Sequence, residues 1–184
     1  MTRAQKIIAL LFIVFLAAAL HFPLYLNSDD GLVLAGAWRV HNGEAPYHDF
    51  FSYKPPASFY LVHWYWKLAG EGYMAANLLG IFCLLLAALG VYRIASLVLK
   101  EKFAYLASLL LVASSSYWPL VNHHNFHLVL AVWGIYLFLK WEREEKQKIL
   151  AGSGLLLGLG ALVLWHKSAV LLAGGLLILT WKTS

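Results

Sequence analysis

Residues 73–99 read YMAANLLGIFCLLLAALGVYRIASLVL, an apolar run whose only charge is Arg93. Crossing about 30 Å of hydrocarbon takes roughly 20 mostly apolar residues in a helix. This stretch meets that requirement, and five others have the same character: 7–26, 103–120, 126–140, 149–165 and 168–181. Several are short, so they need tilt or a locally thinned bilayer. The expected fold is all-α. It is a polytopic membrane helix bundle of about six transmembrane helices, with residues 1–184 forming one membrane domain and two interfacial helices in the first outer loop.

Composition agrees. The chain is 61% hydrophobic and 12% charged, with mean hydropathy +0.69, whereas soluble domains are about one quarter charged. The net charge of +5 raises the question of a nucleic-acid partner, but its distribution answers it. With the N-terminus cytoplasmic, Arg3, Lys6, Arg93, Lys100, Lys102, Lys140, Arg143, Lys146, Lys148 and Lys182 fall inside, and only Arg39, Lys54, Lys67 and Lys167 outside. That asymmetry is the positive-inside pattern, so the basic balance is topological and implies no nucleic acid. The expected location is the plasma (inner) membrane, multi-pass. All eight histidines then lie on the outer half with Asp29, Asp30, Glu44, Asp49 and Glu71. Arg3, Lys6 and Ala17-Ala18-Ala19 also fit a cleaved signal peptide, but apolar character continues to Leu26, which favours a span. Cys83 is the only cysteine, so no disulfide forms within the chain.

The polar loop 27–70 carries the chemistry. Asn27 or Ser28 can cap a helix whose first turn holds Asp29 and Asp30, where the helix dipole favours acids. Leu34, Ala37, Trp38 and His41 continue at helical spacing until Asn42-Gly43 stops the helix. Residues 46–56 are loop, and Pro55-Pro56 opens a second helix running to about Leu68 and ending at Gly70. That helix is too short to span, and the aromatics crowding 47–66 suit the headgroup level. Further on, residues 119–125 make an outer loop, and Trp165-His166-Lys167 a short outer turn. Gly154 and Gly158 have the spacing that lets helices pack closely.

The run Asp29-Asp30-Gly31, Gly43-Glu44-Ala45-Pro46-Tyr47-His48-Asp49-Phe50 and Lys54-Pro55-Pro56, set after a first span, resembles the first outer loop of class C glycosyltransferases. It is similar to the dolichyl-phosphate-mannose-protein mannosyltransferase superfamily, including the bacterial aminoarabinose transferases. The resemblance covers residues 1 to about 100. It implies transfer of a monosaccharide from a polyprenyl-phosphate donor to a glycan, lipid or protein acceptor on the outer face, with inversion and no glycosyl-enzyme intermediate. It also implies that Asp29 is the general base, Asp30 its support or a substrate ligand, and Lys54 a contact to the donor phosphate. Family members usually carry more spans, so the expectation is an N-terminal fragment or reduced member, with a partner chain supplying missing helices.

Each of these residues has a plainer reading beside the functional one. Asp29 and Asp30 are ordinary first-turn acids, and Lys54 can snorkel to the headgroups. Arg39 can reach the phosphate or pair with Asp29, Asp30 or Glu44. Asp49 and Tyr53 can hold acceptor hydroxyls or orient the loop, and turn preferences favour the loop role for Asp49. His123 and His124, with His127 four residues after His123, offer a partial set of ligands for a divalent metal, the weakest of these assignments; the resemblance implies no cofactor. Lys167 can add positive charge to the cavity or snorkel. Two other functional readings remain beside the enzyme: an inactive or partner-dependent scaffold, and a transporter or lipid flippase using the acids as an ion site. The latter usually places its acids at the midplane within repeated halves, unlike this pair at a span's edge.

Overall fold

The computed structural model describes residues 2–21, 28–115 and 120–183. Seven helices make up the described chain: α1 Arg3–His21, α2 Ser28–His41, α3 Ala57–Ala69, α4 Tyr73–Ala95, α5 Glu101–Ser114, α6 His123–Glu144 and α7 Gln147–Thr183. The local signals of the first loop set α2 and α3. Helix α2 stops at His41 before Asn42-Gly43, and α3 follows Pro55-Pro56 and closes where Gly70 N–H donates to Trp66 O at 2.9 Å. Asn27, the alternative cap of α2, lies outside the described residues.

Among the described residues, two helical runs are long and apolar enough to cross a membrane, Tyr73–Ala95 and Gln147–Trp181, the second kinked at Leu164. The other expected spans are shorter or less apolar. The apolar part of α1 is Gln5–Ala19, α5 has 14 residues, and α6 carries histidines at one end and mixed charges at the other. Large apolar side chains nevertheless cover the outside, including Leu11, Phe12 and Phe15 on α1 and Leu162, Val170, Leu176 and Leu177 on α7. Exposed apolar side chains of this kind suit contact with lipid rather than water.

Helix α7 is two helices joined across a kink at Leu164, whose φ of −154° and ψ of 84° are extended, one residue before the turn expected at 165–167. The chain reverses there. Leu157 packs on Gly134 of α6 and Gly160 faces His127, after which Ser168 meets the same His127 and Gly175 approaches Phe138. A straight helix would hold Gly160 and Ser168 about 12 Å apart. Instead a β-carbon added at Gly160 would lie 2.7 Å from Ser168 Oγ. His127 Nε2 and Ser168 Oγ, 2.9 Å apart, tie the returning limb of α7 to α6, and Gly160 of the first limb faces the same ring. Gly154 and Gly158 do not make close approaches: nothing lies within 4 Å of a β-carbon added at either.

The two ends of the bundle differ. At one end Lys6 pairs with Glu101 at 2.6 Å, and Arg143 donates to Leu97 O at 2.7 Å. At the other, α4 and α6 begin and α7 reverses. There α2 and α3 pack across the bundle through a core that includes Val33, Ala37, Val62, Trp66, Ala76, Val121, Phe126 and Val163.

Candidate functional site

Residues 119–125 were expected as a loop; residue 119 lies outside the described residues, and His123 already opens α6. The side chain of Asn122 supplies the cap, accepting from Asn125 N–H at 2.9 Å. Capping satisfies a donor that the first helical turn would otherwise leave open. The Asn125 amide then donates to Gly80 O at 3.0 Å and Leu120 O at 2.9 Å. This close approach needs a glycine, since a β-carbon at Gly80 would sit 2.6 Å from Leu120 Cβ. Together, α4 and the Asn122 cap fix the segment on which the site is built.

Asp30 docks onto that segment. It is buried, and its Oδ1 accepts from Val121 N–H at 3.1 Å. A carboxylate is an effective acceptor for a buried backbone N–H, and charge-assisted bonds of this kind are stronger than neutral ones. Asp29, one residue earlier, is half-buried, and its charge acts on both His123 and His124.

Lys54 reaches the same place from the loop. Its backbone is clamped on both sides: Tyr47 hydroxyl donates to Lys54 O at 2.7 Å, and Ser52 Oγ accepts from Lys54 N–H at 3.1 Å. Tyr47 takes a φ of 70°, unusual for an aromatic residue, and its N–H donates to Phe50 O at 2.8 Å. The Lys54 ammonium lies 2.9 Å from His123 Nε2 and 5.1 Å from the centre of the exposed Tyr53 ring. An ammonium can only donate, so Nε2 accepts and the neutral ring carries its proton on Nδ1. That atom is buried and has no hydrogen-bond partner among the described residues. Burial first, then the Lys54 charge, pushes the His123 pKa down to about 4.

A second lysine repeats the arrangement. Lys167 Nζ lies 3.0 Å from His124 Nδ1, and the rings of His123 and His124 are 4.3 Å apart. Burial, then Lys167, lowers the pKa of His124. His123 and His124, the weak candidates for a metal, each contact a lysine, and His127 contacts Ser168. Among the described residues no three His, Cys, Asp or Glu side chains are grouped to hold a metal. Two hollows meet at His124 and Lys167. One, of about 300 Å³, lies beside Leu111, Ser114, Ser115, Leu120 and Leu128; the other, of about 450 Å³, runs between α6 and the returning limb of α7.

Arg39 and Asp49 belong to a separate cluster. Arg39 Nε donates to Glu44 at 2.6 Å, its Nη2 donates to Asp49 O at 3.2 Å, and the guanidinium lies over Phe50. Of the roles open to Arg39, the geometry carries the ion pair with Glu44. Asp49 accepts from Ala45 N–H at 2.7 Å and contacts His48 Nδ1 at 2.6 Å; the Ala45 bond first, then His48, hold its pKa down. The site therefore gathers Asp29, Asp30, Lys54, His123 and His124, and it adds Lys167 and the Val121 amide. Neither lysine–histidine contact has a local signal in sequence, because each joins residues more than 40 positions apart.

Residues 53–183 match the family model described as dolichyl-phosphate-mannose-protein mannosyltransferase. The match takes in Lys54, His123, His124 and Lys167, and begins after Asp29 and Asp30. No curated protein and no solved structure matches the chain.

Proposed function

The chain belongs to the dolichyl-phosphate-mannose-protein mannosyltransferase family, membrane glycosyltransferases of the mannosyltransferase type, and from that premise we propose that it transfers a monosaccharide from a polyprenyl-phosphate donor to an envelope glycan, lipid or protein. In this reading residues 1–184 form one membrane domain of about six spans in the plasma membrane, with the N-terminus cytoplasmic. Loop 27–70 is extracytoplasmic, and α2 and α3 lie at the interface.

The observation that carries the reading is the Lys54 ammonium held on His123 where Asp29 also exerts its charge. Transfer from a phosphate-linked sugar needs a base for the acceptor hydroxyl and positive charge for the departing phosphate. Asp29 takes the hydroxyl proton as the acceptor oxygen attacks the anomeric carbon. The bond from that carbon to the phosphate oxygen breaks with inversion, and Lys54 stabilises the polyprenyl phosphate that leaves. Asp30, spent on Val121 N–H, keeps the start of α2 in register with the start of α6. Asp49 and Arg39 hold the loop, with Tyr53 beside Lys54 where an acceptor would approach.

The test is sugar transfer from a polyprenyl-phosphate donor by the full chain and by Asp29→Asn. Turnover should fall by about 10²- to 10⁴-fold, the usual contribution of a general base, while donor binding stays unchanged. Wild-type turnover in Asp29→Asn would remove the assignment.

A further inference from the structure

Helix α1 packs on the bundle along only part of its length. Ile13 and Ala17 are buried in a core with Ile81, Leu84, Ala88 and Val112, whereas Ile7 and Leu10, nearer the N-terminus, stay exposed. The gap left between α1, α4 and α5 is a cavity of about 470 Å³ whose wall includes Ile7, Leu10, Val14, Phe82, Leu85 and Leu89. Ser108 also lines it, but its hydroxyl is spent on Ala88 O at 2.7 Å, so the wall presents hydrocarbon. The lining runs from Lys6 to Val14 on α1 and from Phe82 to Tyr92 on α4, about 12 and 15 Å at the helical rise. That is about half of the roughly 30 Å hydrocarbon core, the depth of one leaflet.

The mouth of the cavity is polar. Lys6 pairs there with Glu101 at 2.6 Å, and the rings of Tyr92 and Tyr105 lie 4.8 Å apart. Tyr105 also borders a second hollow of about 660 Å³, lined with Gln5, Lys100, Glu101 and Lys102. Because Lys6 matches Glu101, the exposed Lys100 and Lys102 supply the excess positive charge of this basin. The Lys102 ammonium lies 4.9 Å from the centre of the Phe103 ring. An apolar slot one leaflet deep that opens onto a basic basin is complementary to a phospholipid, with an acyl chain below and an anionic headgroup above.

We propose that these adjoining hollows bind one anionic phospholipid of the cytoplasmic leaflet, its acyl chain between α1, α4 and α5 and its phosphate at Lys100 and Lys102. The proposal rests on the reading of the chain as a membrane bundle with this end cytoplasmic, and not on the transferase chemistry. The site lies at the end of the bundle away from Lys54 and His123. The lipid braces α1 against α4 and α5 where the protein's own side chains leave a gap, and its phosphate meets the start of α5, where the helix dipole favours an anion.

The experiment is native mass spectrometry and thermal melting of the full chain in detergent, titrated with dioleoyl phosphatidylglycerol, dioleoyl phosphatidylcholine and glycerol phosphate. The variants are Lys100→Ala with Lys102→Ala, Lys100→Arg with Lys102→Arg, and Leu89→Trp. Phosphatidylglycerol should bind as a single retained molecule and raise the melting temperature. Phosphatidylcholine, with the same chains and no net charge, should bind roughly 25-fold more weakly, about fivefold for each lysine. Glycerol phosphate, which has no chain, should not be retained. The double alanine variant, altered only at exposed positions, should hold phosphatidylglycerol no better than phosphatidylcholine, and the double arginine variant should keep the preference. Leu89→Trp, at an exposed position on the cavity wall, should weaken both lipids alike. Equal affinity of the wild type for the two lipids would make the groove an unselective seat and overturn the proposal. So would phosphatidylglycerol binding that is unchanged in the double alanine variant or in Leu89→Trp. A lipid-free dimer that Leu89→Trp separates would assign the groove to a second copy of the chain, with the same consequence. None of these results touches the transfer assay of Asp29→Asn, so this proposal and the transferase reading fail separately.

Discussion

Lys54 Nζ and His123 Nε2 are 2.9 Å apart across 69 residues of sequence, joining the first loop to the first turn of α6. The contact requires a neutral imidazole, and burial keeps it neutral by lowering the His123 pKa from 6.5 to about 4. A histidine whose folded pKa is depressed contributes stability that is complete above the unfolded value, here 6.5, and is lost as pH falls toward the folded value. Between pH 6.5 and about 4 the folded chain is therefore destabilised, and protonation of His123 sets two cations face to face. Binding of undecaprenyl phosphate should weaken over the same window. His123→Gln offers an acceptor that does not titrate, so its binding should follow only the probe's own ionisation. Identical pH profiles for the two proteins would count against His123 as the group that positions Lys54.

Asp30 and Asp29 should separate in their effects. Removing the Asp30 carboxylate leaves the buried Val121 N–H without this acceptor, a loss of about 1–3 kcal/mol. Asp30→Ala should lower the melting temperature clearly, and Asp30→Asn, which retains a carbonyl acceptor, should lower it less. Asp29→Asn should affect turnover more than melting. An Asp30→Ala variant that melts with the wild type would show that the Val121 contact does not hold α2.

Local signals were legible in the sequence wherever the chain's own punctuation decided the outcome. Pro55-Pro56 and Gly70 bracket α3, and Asn42-Gly43 ends α2. Contacts between distant elements were not legible. His123-His124-Asn125 looked like loop because the polar triplet hid a cap at Asn122 and an amide spent on Gly80 and Leu120. Gly154 and Gly158 had the right spacing, yet the close approaches fall at Gly36, Gly80, Gly90, Gly134 and Gly160, since spacing cannot say which face of a helix meets a neighbour. The family resemblance was legible in residues 1 to about 100, whereas the family match spans 53–183 and takes in the regular succession of apolar helices that carried no distinctive motif.

Two glycines on apolar helices should respond in opposite ways. A β-carbon at Gly80 meets Leu120 Cβ at 2.6 Å and Leu120 O at 2.9 Å, and the latter is backbone that must move. Gly80→Ala should cost about 1–3 kcal/mol, the usual range for overpacking, and should also weaken donor binding by shifting the segment 120–125. Gly154→Ala meets open space and gains helix propensity of up to about 1 kcal/mol. Thermal melting of the two variants in the same detergent checks the pair, and equal shifts would be the contrary result.

Arg39 provides the last distinction, between a loop support and a phosphate ligand. Its guanidinium is engaged by Glu44 and by Asp49 O, and the pair with Glu44 is partly exposed, so its removal should change global stability by no more than about 1 kcal/mol. The local effect should be larger, because Glu44 and Asp49 both lie in the segment whose turn at 45–50 leads to Lys54. Arg39→Ala should speed amide exchange across residues 44–50 and raise the KM for acceptor, leaving undecaprenyl phosphate affinity within about twofold of wild type, since Lys54 keeps its own clamps from Tyr47 and Ser52. Glu44→Gln, which removes the ion pair and preserves the arginine, should reproduce the faster exchange. If Arg39→Ala instead weakened undecaprenyl phosphate as strongly as Lys54→Ala while Glu44→Gln did not, the guanidinium would have to leave Glu44 for the phosphate during binding, and the loop-support role would fall.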